Sequence, residues 1–318
     1  MNFISKVLPL ALALGLASPV LAQDYPNQPI TVIVPFDGGT GSDIAMRLIL
    51  DQVSADTGKS FVVDNRPGGG GVIGVAALQR ARDDGYTLLM TGTSTHALAK
   101  SLSKDATYDP VGDFTHLSIM TQIPFTVVVR KDSELNSFKD LLAFVKANPG
   151  KADYGYGSGS TRIMSHKMHV DLGLDAQAIP YKSSREALSD LLGGQLDYLI
   201  IDGAGASGLV SSGDVRALVM LSNDRSALMP DVPSLGEEGY QTDTLIGYTG
   251  LAGGKNMPEE AEAWVKNAIV DALNNPELAN KLNAAKAEVA NPPDPASFVA
   301  EQLESWGRAA SQAGVTPQ

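Results

Sequence analysis

Residues 31–47 read Thr-Val-Ile-Val-Pro-Phe-Asp-Gly-Gly-Thr-Gly-Ser-Asp-Ile-Ala-Met-Arg and predict a strand, a glycine-rich turn and a helix in succession. The run 30–34 is apolar and mostly β-branched, which is typical of a strand buried on both faces of a parallel sheet. Pro35 has no backbone N–H and ends that strand. The glycines that follow leave the backbone free to turn tightly before the helix.

The helix after this turn is predicted to be capped by Ser42 or Asp43 and to bury Ile44, Leu48 and Val53. The first N–H groups of a helix have no partner within it and lie at the positive end of its dipole. An anionic group can therefore dock there on backbone donors alone. The plainer alternative is an ordinary strand-to-helix connection of an α/β protein.

The first 22 residues are predicted to be an export signal. Lys6 precedes an apolar run at 7–17, and Val-Leu-Ala at 20–22 provides a small-residue cleavage pattern. The mature chain would start at Gln23. The apolar run is too short for a stable membrane span, and no later segment approaches eighteen apolar residues in a row. We therefore expect a protein of the periplasm.

The formal net charge is −12, and removal of residues 1–22 would take it to −13. This acidity argues against nucleic acid or an anionic membrane surface as a partner. It does not exclude an anionic ligand, because exposed charges are largely screened beyond about 8 Å at physiological salt. Without cysteine the chain can form no disulfide, and 318 residues are enough for two domains.

Predicted strands and helices alternate along the rest of the chain, which favours parallel βαβ units. Strands are expected at 60–63, 86–90, 126–130, 197–201 and 215–221, and a short one begins at 154. Helices are expected at 72–81, 96–102, 137–147, 162–172, 185–192, 258–274, 276–287 and 295–313.

Two α/β lobes that exchange chain near 121–125 and 221–225 would explain the length and the second strand–turn–helix unit that starts at 154. The predicted lobes are residues 23–123 with 224–318, and residues 124–223. A cleft with a hinge is expected between them.

Hydroxyl-bearing residues gather at the predicted turns. Ser158, Ser160 and Thr161 stand beside glycines before the second helix, and Ser94 follows the third strand. Ligands of open α/β sheets bind outside the carboxyl ends of the strands, so these residues are candidate ligand donors. The alternative is that they only shape turns. Asp202, at a strand end, either caps the next turn or holds a ligand group or a water.

No pattern in the chain predicts a cofactor, a metal site or a catalytic nucleophile. The run 69–74 matches the dinucleotide fingerprint formally, but the next strand ends without an acid that could hold a ribose. No Gly-x-Ser-x-Gly elbow surrounds a candidate serine. His166 and His169 lie one helical turn apart with no evident third ligand. His96 is expected to pack within its short helix, although it could reach the cleft.

A series of motifs covers nearly all of the mature chain. They are Val34-Pro35-Phe36 with the glycine turn and Asp43, Asn65-Arg66-Pro67-Gly68, Asp84-Gly85-Tyr86-Thr87-Leu88-Leu89, Tyr108-Asp109-Pro110 with Asp113-Phe114, Pro180-Tyr181-Lys182, Leu-Leu-Gly-Gly-Gln-Leu-Asp at 191–197, Arg216-Ala217-Leu218, and Leu-Met-Pro-Asp-Val-Pro at 228–233. In this combination the chain resembles the periplasmic substrate-binding proteins of tripartite tricarboxylate transporters, the Bug-type receptors.

The resemblance implies a type II periplasmic-binding-protein fold, in which two α/β lobes close on a small carboxylate. It implies that main-chain N–H groups, hydroxyls and bridging waters of the two glycine loops hold the carboxylate. A membrane permease would receive the ligand from a monomeric receptor without a cofactor. The turns and the resemblance together predict these ligand-binding residues, with the far end of the ligand near Ser94, Tyr181 and Asp202: Phe36, Gly38, Gly39, Thr40, Gly41, Ser42, Asp43, Ser94, Ser158, Gly159, Ser160, Thr161, Tyr181 and Asp202.

Two departures from the family pattern matter. Asp37 stands where the first loop usually has a small uncharged residue, so it should face solvent or meet a donor on the ligand. The second loop reaches His166 later than the family's loop reaches its histidine. The resemblance therefore assigns no ligand contact to Arg162 or Ile163.

The sequence thus predicts a receptor for a small mono- or dicarboxylate that performs no chemistry. Two alternatives stay open. A periplasmic enzyme could use Asp37, Asp202 or His96 as acid or base, and it would turn a candidate acid over. A sensory receptor would use the same site but hand its closed form to a kinase ectodomain instead of a permease.

Overall fold

The computed structural model describes residues 25–181, 183–240 and 245–317. The predicted export signal at 1–22, and Lys182 of the Pro-Tyr-Lys motif, lie outside the described residues. Within them the chain forms two β-sheets with helices packed on them. None of the helices in this part of the chain is long and apolar enough to cross a bilayer.

The strands are β1 (Ile30–Val34), β2 (Phe61–Asn65), β3 (Thr87–Gly92), β4 (Phe114–Ile123), β5 (Phe125–Arg130), β6 (Asp153–Tyr156), β7 (Gln177–Pro180), β8 (Tyr198–Asp202), β9 (Val215–Met220), β10 (Gly247–Gly254) and β11 (Glu288–Val289). The α-helices are α1 (Gly41–Thr57), α2 (Val72–Gln79), α3 (Ala99–Leu102), α4 (Phe138–Ala147), α5 (Gly159–Leu172), α6 (Ser184–Leu192), α7 (Gly203–Ser212), α8 (Glu259–Leu273), α9 (Pro276–Ala284) and α10 (Pro295–Gln312). A 3-10 turn (Gly69–Gly71) precedes α2, and a π-helical turn (Thr93–Ala97) follows β3.

The first sheet has the strand order β11-β4-β10-β3-β1-β2. β1 pairs in parallel with β2 and β3, whereas β10 runs antiparallel to β3 and β4. In β1, Ile30, Val32, Ile33 and Val34 are each at most 2% exposed. The predicted strand that is buried on both faces is thus confirmed.

The second sheet has the order β7-β6-β8-β5-β9 and repeats this arrangement. β6 pairs in parallel with β7 and β8, and β5 runs antiparallel to β8 and β9. The chain passes between the sheets at Pro124, between β4 and β5, and again between Met220 and Gly247. The lobe boundaries at 123/124 and 223/224 stay predictions.

The C-terminal helix α10 packs between elements of both sheets. It contacts α5 from the second sheet's layer and β4 from the first sheet. Trp306 of α10 is fully buried, and its ring centroid lies 6.0 Å from that of Phe125 in β5. Val299 belongs to the same core cluster, which also contains Ile119 of β4. The end of the chain therefore supports both sheets at once.

The predicted apolar face of α1 was wrong in part. Val53 is buried as expected, but Ile44 is 43% exposed, and the helix buries Met46, Ile49 and Leu50 instead. Ile44 and Val53 are nine residues apart, which at about 100° per residue puts them on opposite sides of a helix. They cannot share the face that packs on the sheet.

Five elements were not predicted: β4, β7, α7, β10 and β11. The run Gly-Tyr-Thr-Gly-Leu-Ala-Gly-Gly of β10 carries little strand signal, because glycine is depleted in strands. Gly250 shows why glycine stands there. A Cβ at this position would lie 2.6 Å from Thr91 Oγ1 and 2.8 Å from the Ser118 carbonyl oxygen. The close approach of β3 and β4 therefore explains the glycine at position 250 of β10.

Candidate functional site

Asp43 holds the loop between β1 and α1. Its carboxylate accepts hydrogen bonds from the Gly39 N–H at 2.9 Å, from Asn65 Nδ2 at 2.9 Å and from Arg47 Nε at 3.0 Å. Burial alone would raise the pKa of this carboxyl, but the bonds from Arg47, Gly39 and Asn65 outweigh it and hold the pKa below its usual value. Asn65 Nδ2 also donates to the Phe36 carbonyl at 3.0 Å. The loop is therefore fixed by a charged group that faces inward.

The cap of α1 is Thr40, and not Ser42 or Asp43 as predicted. Its hydroxyl accepts the Asp43 N–H at 3.3 Å and donates to the Asp37 carbonyl at 3.0 Å. The backbone of Thr40 is extended, so the helix begins at Gly41. The N–H groups of Gly41 and Ser42 consequently lie in the first turn, and neither has an acceptor within the described residues.

The turn between β6 and α5 repeats this design. Ser158 caps α5, with its hydroxyl accepting the Thr161 N–H at 3.2 Å while the Thr161 hydroxyl accepts the Ser158 N–H at 3.1 Å. Because of this reciprocal pair the helix begins at Gly159, earlier than the predicted 162. The N–H groups of Gly159 and Ser160 have no acceptor in the part of the chain that the structure describes.

The two helix starts border one cleft, which has a volume of about 330 Å³. None of its lining side chains carries a charge. They are Phe36, Ser42, Thr91, Gly92, Thr93, Ser94, Leu98, Leu102, Ile123, Gly159, Ser160, Gly247, Tyr248 and Thr249. The structure thus brings five of the predicted residues together, from both sheets: Phe36, Ser42, Ser94, Gly159 and Ser160.

Two hydroxyls in the wall of this cleft have no hydrogen-bond partner within the described residues. They are Thr91 Oγ1 in β3 and Tyr248 Oη in β10, and both atoms are buried. Burial raises the pKa of Tyr248, so its hydroxyl stays protonated at neutral pH. Buried polar atoms of this kind cost free energy unless a water or a ligand satisfies them. Neither atom is exposed at the surface of the cleft, whereas the half-buried lining residues Ser42 and Ser94 also carry hydroxyls.

A second compartment of about 420 Å³ adjoins the cleft. It contains the predicted residues Ser158, Gly159 and Tyr181, together with Arg162, which was not predicted. The Tyr181 hydroxyl donates to Asp190 at 2.8 Å. The two compartments share the lining residues Leu102 and Gly159 and adjoin at that point.

The other predicted residues shape the loops and do not line either compartment. Gly39 has a φ of +82°, which favours glycine, and Thr161 is buried in the capping pair. Asp202 caps α7 and accepts the Gly205 N–H at 2.7 Å. Asp37 is exposed, outside the cleft wall. The ligand contacts expected of Gly38, Gly39, Thr40, Gly41, Asp43, Thr161 and Asp202 stay predictions.

His96 and His169 are held by packing and hydrogen bonds. His96 is fully buried, with its ring 4.8 Å from Phe114, in line with the packing interpretation. Both ring nitrogens of His169 have partners, the Ser165 carbonyl at 2.6 Å and the Tyr198 hydroxyl at 2.5 Å. Among the described residues, no three His, Cys, Asp or Glu side chains gather in a geometry that could hold a metal ion.

Sequence reasoning missed Thr91, Tyr248 and Arg162. Thr91 and Tyr248 belong to the lining of one cleft because β10 inserts between β3 and β4, and the pairing of β3 with β10 joins residues some 150 positions apart that leave no local signal. Arg162 could have been found. A cap at Ser158 with Thr161 three residues later is a capping-box pattern, and it places residue 162 in the first turn of the helix, beside the loop.

Comparisons with known proteins agree on one family. The profile of the family described as "Tripartite tricarboxylate transporter family receptor" matches residues 45–315. Protein BugT of Bordetella pertussis is 30% identical over 305 residues, which cover 94% of each chain.

Solved structures show the same likeness. The periplasmic binding protein BugD has a TM-score of 0.70 and 28% identity, over 92% of this chain and 100% of that one. R. palustris Rpa4515, determined with adipate, has a TM-score of 0.74 and 26% identity, over 93% of this chain and 100% of that one. The predicted type II periplasmic-binding-protein fold is confirmed, and the chain belongs to the tripartite tricarboxylate transporter receptor family of periplasmic solute-binding proteins.

Proposed function

We propose that this chain captures a small mono- or dicarboxylate in the periplasm and passes it unchanged to the permease of a tripartite tricarboxylate-type transporter. One observation carries the proposal. Ser42 at the start of α1, and Gly159 and Ser160 at the start of α5, line one uncharged cleft with N–H groups that have no acceptor in the described chain. A carboxylate supplies two oxygens that can accept from both helix starts. The adipate found with Rpa4515 supports this class of ligand.

The free energies indicate that closure is part of binding. A helix start stabilises a nearby anion by about 0.3–2 kcal/mol, whereas micromolar affinity requires roughly 8 kcal/mol. Two helix starts are therefore insufficient on their own. Hydrogen bonds to hydroxyls of the lining, such as those of the half-buried Ser42 and Ser94, made when both walls meet the ligand, would provide the remainder.

The proposed moving parts are the two lobes, residues 23–123 with 224–318 and residues 124–223. Pro124 and the chain after Met220 would act as the hinge, because the chain changes sheet there. Residues 1–22 are proposed to direct export, and the mature receptor to act as a monomer. A permease that accepts only the closed form would couple binding to uptake.

A thermal-unfolding panel tests the carboxylate site. The mature protein is heated with aromatic, hydroxy, amino and dicarboxylic acids, and each acid is paired with its amide as a control of the same shape. At a hundredfold excess over Kd a ligand stabilises the folded state by about 2.7 kcal/mol. That corresponds to several degrees, at about 2–4 °C per kcal/mol for a chain of 150–250 residues.

We expect at least one acid to raise Tm while its amide does not. Equal shifts with acid and amide would contradict the anion site. The ligand is then recovered and analysed, since a receptor returns it unchanged whereas an enzyme would convert it. The neighbouring genes distinguish transport from the sensory alternative. A permease gene would support transport, and a sensor-kinase gene would support the sensory role.

A further inference from the structure

The compartment beside the cleft is closed in part by the end of the chain. Its walls come from the turn before α5, from Tyr181 after β7, and from residues 314–316 after α10. With about 420 Å³ it exceeds the 330 Å³ of the cleft. Leu102 and Gly159 belong to the lining of both, so the two spaces adjoin at the start of α5. The apolar Leu102 at the junction suits a hydrocarbon spacer.

Arg162 gives this compartment a positive charge that the cleft lacks. Its Nη2 donates to the Ala313 carbonyl at 2.9 Å and to the Gly314 carbonyl at 3.4 Å. These contacts anchor the guanidinium to the end of α10. Nε and Nη1 have no acceptor among the described residues, so three of the five donors of this side chain are unused by the protein.

Within residues 25–181, 183–240 and 245–317, no carboxylate pairs with this charge. None of the residues that line the compartment is acidic, and Arg162 forms no salt bridge with a described carboxylate. Asp190 accepts a hydrogen bond from the hydroxyl of the wall residue Tyr181 at 2.8 Å, but Asp190 itself does not line the compartment. A fixed cation with unused donors thus borders an open space, a short distance from the helix start proposed to hold a carboxylate.

We propose that Arg162 and its compartment form a subsite for the second carboxylate of an α,ω-dicarboxylic acid whose first carboxylate lies in the cleft. This inference rests on the proposed function and narrows its ligand. The first carboxylate meets neutral N–H and hydroxyl donors, and the second meets a guanidinium, whose hydrogen bonds to a carboxylate are charge-assisted. The methylene spacer crosses Leu102.

Isothermal titration calorimetry on the mature protein tests this subsite. The probes are unbranched diacids from malonate to suberate, together with the half-amide of the diacid that binds best. The half-amide keeps the first carboxylate and the length but lacks the second charge. We expect the wild-type protein to prefer the diacid by about 10- to 100-fold, as for hydrogen bonds to a charged group.

Three variants assign this preference to a residue. Arg162→Met should weaken binding of the diacid until it equals that of the half-amide, whose own affinity is unchanged. Arg162→Lys keeps the charge and should retain part of the preference. Arg216→Met is the matched control, because Arg216 donates to the carbonyls of Ser133, Leu135 and Lys131 and lines neither compartment. It should leave the preference intact, and thermal unfolding verifies that each variant folds.

Two results would overturn the inference. One is a wild-type protein that binds diacid and half-amide equally well. The other is an Arg162→Met variant that weakens both ligands alike, which would mean that Arg162 only anchors the end of α10. In either case a carboxylate still binds and the proposed function stands. If no acid in the series or in the panel binds the wild-type protein, the proposed function itself fails.

Discussion

Replacement of Asp43 by alanine should loosen the first loop by a calculable amount. The substitution removes the acceptor of three hydrogen bonds, from Gly39, Asn65 and Arg47. A hydrogen bond to a charged group contributes about 1.5–3 kcal/mol, whereas an exposed ion pair contributes about 0.2–1 kcal/mol. The Arg47 side chain is 46% exposed, so its bond belongs to the weaker class. Since water can reach the loosened loop, we expect a total loss of roughly 2–4 kcal/mol.

Thermal unfolding and ligand binding measure this effect together. At about 2–4 °C per kcal/mol, Tm should fall by roughly 4–16 °C. Asp51→Ala is the matched control, because Asp51 is an exposed acid in the same helix. Its Tm should stay near that of the wild-type protein. The carboxylate with the largest shift in the panel should bind Asp43→Ala at least tenfold more weakly, because the loop that positions Ser42 is no longer fixed.

The reasoning fails if Asp43→Ala and Asp51→Ala unfold at the same temperature. It also fails in its functional part if Asp43→Ala is destabilised but binds the carboxylate with wild-type affinity. The second outcome would mean that the first helix start binds its ligand without the support of this carboxylate.

Three further perturbations follow from the backbone and from burial. Gly39 has a φ of +82°, where a residue with a Cβ is strained by about 1–2 kcal/mol. Gly39→Val should therefore at least halve the carboxylate-induced Tm shift while the circular dichroism spectrum stays that of the wild-type protein. An unchanged Tm shift would mean that this loop only connects β1 to α1. A Cβ on Gly157 would lie 2.2 Å from the backbone of Ser183. Gly157→Ala should therefore speed amide hydrogen exchange in β6 and β7. Unaltered exchange would contradict this close backbone approach. Burial, with a smaller contribution from the charge of His116, lowers the pKa of His96 to about 3. The neutral His96 side chain should therefore make its full contribution to the free energy of unfolding above pH 6.5, and this contribution should decline as the pH falls from 6.5 toward 3, by up to about 1.4 kcal/mol per pH unit. The urea midpoint of His96→Gln should depend less on pH in that range than the wild-type midpoint. An identical slope for both proteins would refute the assignment.

The two strand–turn–helix units could be predicted because their signals are local. The β-branched run at 30–34 and the glycines after Pro35 lie within one short stretch, and the serines and glycines around Ser158 form a second one. Caps, turns and buried strands depend on neighbours a few residues away, so sequence spacing is informative. The errors in these two units were shifts of a few residues, such as the helix cap at Thr40 in place of Ser42 or Asp43.

The walls of the site could not be predicted in the same way. Thr91 and Tyr248 line the same cleft because β10 inserts between β3 and β4, and the glycines of β10 conceal the strand. Arg162 faces a compartment only because the chain beyond α10 returns to it, so that residues 314–316 supply one wall. Contacts between residues more than 150 positions apart have no periodicity to reveal them.

The sequence by itself determined the family, the alternation of strands and helices, and the two glycine turns with unpaired backbone donors, because each follows from residues that are adjacent or regularly spaced. Only the tertiary structure decided that the two helix starts share one uncharged cleft and that a cationic compartment adjoins it. The physical reason is that a binding site is a concave surface between sheets. Its charge and volume depend on which distant side chains the packing of β10 and α10 brings to its walls.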